Sequence, residues 1–322
     1  MMTRARNHPP AEGVIFPAPC PDLESKLREV ELSVRFAVLA LAGVLPLAGC
    51  THTVNLLNPL TPKFEGAYAP GTTTAQSQPT HLRVVSFNVK LADEIDRAIQ
   101  VLQTGELANA DVISLQEMDE VGTQRIARAL HLNYVYYPGS IHPTRHRYFG
   151  PAILTRWPIV ESRKLLLPYE APFRHQRRTA TAATVDVGGN CLRVYAVHLE
   201  TQMRATARDR ETQVDAILAD AGGTPCPVVV AGDFNSKGIG NYLERKGYLW
   251  PTKNVGHTIT VFSWDHIFAR GLGVPGSAKA GKVSDVHGAS DHQPVWASLV
   301  LSPDVRSGGQ VAGAANPGKP RS

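Results

Sequence analysis

Val228-Val229-Val230-Ala231-Gly232-Asp233-Phe234-Asn235 is an apolar run that ends abruptly in a carboxylate and an amide. A run of branched residues bounded by glycine predicts a strand buried on both faces, the kind found in parallel sheets. Open α/β sheets place their chemistry at the carboxyl ends of such strands. Asp233 and Asn235 are therefore candidates for a site. Two residues apart, their side chains point the same way while strand geometry lasts, which sets a hard oxygen ligand beside a neutral hydrogen-bond donor. A phosphate held by a cation suits that pair. Taken alone, the stretch also fits an Asx turn capping the strand, because Asp and Asn favour turns. Whether similar strand ends recur decides between the two.

They do recur. Leu82 to Asn88 reads as a strand, followed by Ile95, Ala98, Ile99 and Leu102 at helical spacing. Val112 to Glu117, Ala152 to Leu154, Thr181 to Val187 and Leu192 to Leu199 read as further strands. Arg208 to Asp220 carries Val214, Ile217 and Leu218 on one helical face before the Val228 strand, and Trp264 to Ala269 and Pro294 to Leu301 are the last strands. Polar residues mark these strands or their ends: Asn88, Glu117, His198, Asp233 with Asn235, Asp265, and Asp291 with His292. A polar group there costs free energy unless it finds partners, so the set predicts one cluster at one sheet edge. Carboxylates, amides and imidazoles without a thiolate suit Mg²⁺, or Mn²⁺ in its place, and leave histidine for proton transfer.

Taken in order, Ser86-Phe87-Asn88-Val89, Gln116-Glu117, Gly150-Pro151-Ala152-Ile153-Leu154-Thr155-Arg156, Val197-His198-Leu199, Gly232-Asp233-Phe234-Asn235, Trp264-Asp265-His266-Ile267-Phe268 and Ser290-Asp291-His292 resemble the motifs of the endonuclease/exonuclease/phosphatase superfamily. The resemblance spans about Leu82 to Val300. It implies an α/β fold, α+β in some schemes: a four-layer sandwich of two face-to-face mixed β-sheets flanked by helices. It also implies roles. Glu117 would be the principal metal carboxylate, with Asn88 and Asp291 nearby. Asp233 and Asn235 would position the attacking water and hold the phosphate, which Asn88 also approaches. His292 would be the general acid/base with Asp265 orienting its ring, and His198 would donate to a phosphate oxygen. Arg178 matches an arginine that contacts phosphate in such proteins. One departure stands out: His146-Arg147-Tyr148-Phe149 lacks the carboxylate that the deoxyribonuclease I branch carries there.

The rest of the chain bounds these readings. With 43% hydrophobic and 19% charged residues the chain is ordinary for a globular protein, and a net charge of +5 mildly favours anionic partners without indicating nucleic acid. Residues 1–50 form a leader. Arg35 precedes an apolar stretch from Phe36 to Leu47 that is too short to span a bilayer. Leu47-Ala48-Gly49-Cys50 resembles the lipobox of bacterial lipoproteins, which implies a lipid anchor at Cys50. Thr51 in the next position implies export to the outer membrane or cell envelope, with the folded domain in the periplasm or outside. A start near Val30 or Val34 would shorten an otherwise long region before the apolar stretch, and a buried helix is the competing reading. Residues 51–80, rich in Pro, Thr, Gln and Gly, read as a flexible tether, 81–302 as the catalytic domain and 303–322 as a disordered tail.

Two cysteines remain once Cys20 and Cys50 are assigned to the leader. Cys191 lies seven residues before His198, and Cys226 seven before Asp233. If the strands ending in His198 and Asp233 are parallel neighbours, the two sulfurs lie level and within bridging distance. The alternative is a pair of small buried thiols. Function is expected to be phosphodiester hydrolysis with a nucleic acid as candidate substrate, because His142, Arg145, His146, Arg147, Arg174, His175 and Arg177 make a basic surround. Solvated loops are the plainer reading of those residues, and a His142–His146 metal pair is disfavoured by Pro143. A sphingomyelinase-like or small-molecule phosphatase is the alternative activity, and a non-catalytic binding domain on the same fold the alternative class. No obligate protein partner is evident.

Overall fold

Apolar side chains alternate along two groups of strands, and each group closes into a sheet with one face turned to the other. The computed structural model describes residues 53–70, 79–172, 174–276 and 279–301. In chain order the strands are β1 (Val54–Asn55), β2 (Phe64–Gly66), β3 (His81–Asn88), β4 (Val112–Met118), β5 (Asn133–Tyr136), β6 (Ser140–Ile141), β7 (Tyr148–Thr155), β8 (Ile159–Glu170), β9 (Arg177–Val187), β10 (Asn190–His198), β11 (Val228–Asp233), β12 (Asp265–Arg270), β13 (Ala280–Lys282) and β14 (Val295–Val300). Among the described residues four α-helices join them: α1 (Ile95–Leu102), α2 (Glu120–Ala129), α3 (Ala207–Gly222) and α4 (Gly238–Arg245).

The first sheet runs β1-β6-β7-β4-β3-β14-β13, with β5 also on β7 and β2 on β5; the second runs β12-β11-β10-β9-β8. Only β3–β4 and β10–β11 are parallel, so both sheets are mixed. Between the sheets lie Val84, Val112, Ile153, Val185, Val194, Ala196, Val229, Ala231 and Ile267. On the outer face of the first sheet, Ile95, Ala98, Val101 and Leu102 of α1 and Ile126 of α2 cover Val85, Phe87, Ile113 and Leu115. Val214 and Ile217 of α3 and Leu243 of α4 cover Tyr195, Val197, Val228 and Val230 of the second. Helix, sheet, sheet, helix is the expected four-layer order.

The parallel pairing of β10 and β11 is in the anticipated register, with His198 opposite Asp233. Cys191 and Cys226 form a disulfide at a Cα–Cα distance of 5.4 Å. Gly232 permits the close approach of these strands at the site end, since a Cβ there would lie 2.0 Å from the Val197 carbonyl oxygen.

The expected tether is corrected over part of its length. Val54–Asn55 pairs with β6 and Phe64–Gly66 pairs with β5. Lys164 of β8, 2% exposed, holds the segment by donating Nζ to the carbonyls of Leu56 at 2.8 Å and Thr61 at 3.0 Å. These pieces are too short to show periodicity, and much of what fastens them is backbone, which composition does not record. The leader with Cys50, residues 71–78, Phe173 and the tail lie outside the described residues.

Candidate active site

The inward face of each sheet decides what its strand ends present. Along β3, Val84 faces the inter-sheet core, so Ser86 and Asn88 follow on that face by period two; Ala196 sets His198 in the same way, Ala231 sets Asp233, and Ile267 sets Asp265. Four polar residues from both sheets are thereby brought to one end of the sandwich. Each is nearly or fully buried, with exposures of 1% for Asn88, 5% for His198, 1% for Asp233 and 0% for Asp265.

Glu117 breaks that period. Ser114 and Gln116 occupy the inward face of β4, where Ser114 Oγ donates to the Ala231 carbonyl of the other sheet at 2.8 Å and Gln116 Nε2 donates to Ser114 Oγ at 2.8 Å. Strict alternation would turn Glu117 outward. Instead the β4–β7 register shifts between Leu115 and Met118, and Glu117 takes φ 61°. This bulge re-aims the carboxylate. Glu117 Oε1 accepts from Asn88 Nδ2 at 3.3 Å and Oε2 from the Leu91 N–H at 3.0 Å.

Asp233 Oδ2 is the hub. Asn88 Nδ2 reaches it at 3.1 Å, His198 Nε2 at 3.6 Å and His292 Nε2 at 3.8 Å. Its other oxygen accepts the Asn235 N–H at 2.8 Å, while Asn235 Nδ2 donates to the Leu199 carbonyl at 3.0 Å. Behind His292, Asp265 Oδ2 meets Nδ1 at 2.9 Å, and the Thr258 hydroxyl receives the Asp265 N–H at 3.2 Å. Ser290 ties this loop to β3 by donating to the Asn88 carbonyl at 2.7 Å and accepting the His292 N–H at 3.0 Å.

The electrostatics follow from burial. Asp233 is pushed up to about 6, first by desolvation and then by the Asp265 carboxylate, against His292, the Asn235 N–H and Asn88. Burial alone would lower His292, but Asp265, through charge and hydrogen bond, with Asp233 and Asp291, outweighs it and pushes the imidazole up to about 10. His198 is held well below its ordinary value by burial, Arg178 and His292, so it is neutral at pH 7. Two imidazoles flanking one carboxylate thus differ in charge, His292 cationic and His198 neutral.

Asp291 lies at the rim, and Arg178 is buried beside His198. Arg178 is clamped by Glu200, with Nε to Oε2 at 3.2 Å and Nη2 to Oε1 at 3.3 Å; its Nη1 is buried without a partner, and the side chain lines a small cleft with His198, Phe149 and Gly150. Glu200 was not among the sequence candidates. Its one signal is position, a carboxylate two residues past His198 at the end of a buried strand. The Asp291 carboxylate, half exposed, pairs with Lys90 Nζ at 3.3 Å. His142 and His146 form no helical pair: they close a hairpin, His146 N–H bonding the His142 carbonyl at 2.9 Å. His266 is a core residue, packed edge-on against Trp250.

A metal could be held here. Asp233, Asp265 and His292 bring one ligand atom each within 4.8 Å of one another, and Glu117 adds an oxygen donor on the other side of Asn88. The family model for the endonuclease/exonuclease/phosphatase family matches residues 85–292, more than half of the chain. The chain belongs to the endonuclease/exonuclease/phosphatase family. Solved structures similar to it include a family protein from Beutenbergia cavernae, with 22% identity and TM-score 0.55 over 69% of this chain and 72% of that one. One from Bacteroides vulgatus has 18% identity and TM-score 0.56 over 70% and 100%. D. rerio TDP2, solved with a single-strand DNA product, has 20% identity and TM-score 0.55 over 69% and 99%. No curated protein matches. At these identities the likeness carries the fold and nothing finer.

Proposed function

We propose that the chain is a divalent-metal-dependent phosphodiester hydrolase acting by in-line attack of water, with a nucleic acid as its leading candidate substrate. The observation that carries this reading is the convergence of Asn88, His198 and His292 on Asp233 Oδ2. The donor set fits Mg²⁺ or Mn²⁺. Glu117 offers oxygen with spare lone pairs and is only partly buried, while Asp265 Oδ2 and His292 Nδ1 already satisfy each other. We therefore assign Glu117 and Asp291 to the ion, with Asn88 bracketing Glu117 and Asp233. When bound, the ion offsets charge that develops on the phosphoryl oxygens.

The remaining work belongs to the chain. Asp233, with its carboxyl near 6, is ionised at pH 7 and takes the proton of the attacking water. The new P–O bond forms as the bond to the leaving oxygen breaks, and that oxygen takes its proton from His292, which Asp265 keeps charged. His198, neutral, donates to a non-bridging oxygen, joined by Arg178 Nη1 and the second N–H of Asn235 Nδ2. The basic surround supports a polyanionic substrate. The test is hydrolysis of DNA, RNA, sphingomyelin and phosphomonoesters by the chain freed of residues 1–50, with and without Mg²⁺. Full activity in excess EDTA overturns the metal role, and preference for a phosphomonoester or sphingomyelin overturns the nucleic-acid reading.

Export and lipid anchoring at Cys50 are part of the proposal, supported by Leu47-Ala48-Gly49-Cys50 and by the Cys191–Cys226 bridge, which suits an oxidising compartment. Palmitate labelling that is lost in Cys50→Ala is the expected result. A wild-type chain that takes up no label overturns it.

A further inference from the structure

From Thr53 onward the described chain lies against the catalytic body. Thr53 donates its N–H to the Arg174 carbonyl at 2.9 Å, and Leu56 donates to the Gly139 carbonyl at 2.8 Å. Asn55 gives Nδ2 to the His175 carbonyl at 2.6 Å and receives the Arg177 N–H on Oδ1 at 2.9 Å. Val54 and Asn55 pair with Ile141 and Ser140. Ser140, Arg177 and Arg178 in turn line the cleft beside His198. The segment is therefore stitched to the rim of the site, at the end of the sandwich where β4 finishes. The opposite end is where β3 and β4 begin.

Chain length then sets a distance. Thr53 is three residues from Cys50, a span of at most about 10 Å even when fully extended. β4 alone, seven residues long, separates the two ends of the sandwich by about 23 Å. The rim also carries exposed basic side chains, three of them paired with carboxylates. Arg145, Arg147 and Arg177 have side chains 49%, 39% and 36% exposed, and Arg174 lies beside them. Of their carboxylate partners Asp119 is 8% exposed, which leaves Asp93 and Glu170 as the outward acids.

We propose that the active-site end of the chain docks on an anionic bilayer surface, its distance from the bilayer limited by the three-residue span between the Cys50 anchor and Thr53. This rests on the lipidation proposed above. Basic side chains near such a surface are drawn to it at short range, so anchor and rim charge act in the same direction.

The test uses the full lipidated chain in vesicles of phosphatidylcholine with phosphatidylglycerol, carrying an energy acceptor on the headgroups. One dye is placed at Thr144→Cys on the rim and another at Gln103→Cys beyond the end of α1. Energy transfer several-fold stronger from the rim dye is expected, and a long Gly-Ser insertion after Thr51 in pure phosphatidylcholine should abolish the difference. Equal transfer from both dyes in protein that floats with the vesicles overturns the docking and leaves the anchor standing. Protein that neither floats nor takes up palmitate overturns both. In the chain with the Gly-Ser insertion, on vesicles with phosphatidylglycerol, Arg145→Glu with Arg174→Glu should abolish the dye difference; a difference left unchanged there while oligonucleotide binding weakens assigns the rim to nucleic acid and overturns the docking.

Discussion

Asp233 is ionised at some cost to the fold. Its carboxyl stands at about 6 in the folded chain against an ordinary 3.8. A raised value means that the folded state binds the proton more tightly, so the stability this group contributes is complete below pH 3.8 and is lost as pH rises through about 6. In metal-free protein, Asp233→Asn should remove that fall and leave the variant more stable than wild type at pH 7 by on the order of 1 kcal/mol, read from urea midpoints. The same variant should lose at least ~100-fold in hydrolysis, as should Glu117→Ala and His292→Ala, by the usual size of acid/base and electrostatic effects. Unchanged stability between pH 4 and 7 would contradict the burial argument. Most of these residues were readable because each ends an apolar strand with a group that needs a partner. Glu200 was not, because a carboxylate after a strand is ordinary until Arg178 is seen to lie across from it.

Two elements depend on single backbone positions. Glu117 holds φ 61° in the β4 bulge, a conformation that glycine adopts freely and other residues resist. Glu117→Gly should therefore be more stable than Glu117→Ala by about 1 kcal/mol, although both lose the carboxylate. A reversed order in thermal melts would show that the bulge relaxes. Gly232 has no such latitude: with a Cβ placed 2.0 Å from the Val197 carbonyl, Gly232→Ala should spread β10 from β11 and cost about 3 kcal/mol or more. It should also separate His198 from Asp233 and lower activity beyond what the stability loss explains. The motif containing Gly232 was legible, whereas the reason for the glycine needed the neighbouring strand. Elements without strong periodicity were missed. β8 mixes Glu161, Arg163, Lys164 and Glu170 into its run, and α2 starts on the Asp119 cap, whose side chain accepts the Gly122 N–H at 2.7 Å, with few apolar residues behind it. Their partners on the sheets, not their own patterns, hold them in place.

At the scale of the whole molecule the four layers were foreseen through the family resemblance, and the order of strands within each sheet was not, since pairing is a property of pairs of segments. The exception is the β10–β11 neighbourhood, where equal spacings from Cys191 to His198 and from Cys226 to Asp233 gave register and bridge together. The bridge closes a sequence separation of 35 at the end of the sheet away from the chemistry. Replacing both cysteines by serine should lower stability by about 3 to 4 kcal/mol in the chain-entropy account. Thiol titration of unreduced, denatured chain freed of residues 1–50 should find no free thiol, and two would rule the bridge out. Lys164 has a plainer, practical consequence. A laboratory seeking the smallest working enzyme would trim the chain to the first long strand, at His81. That cut removes the carbonyls of Leu56 and Thr61, the acceptors for an ammonium that is 2% exposed, and unroofs one side of β5 and β6. The shortest form worth expressing begins no later than Thr53.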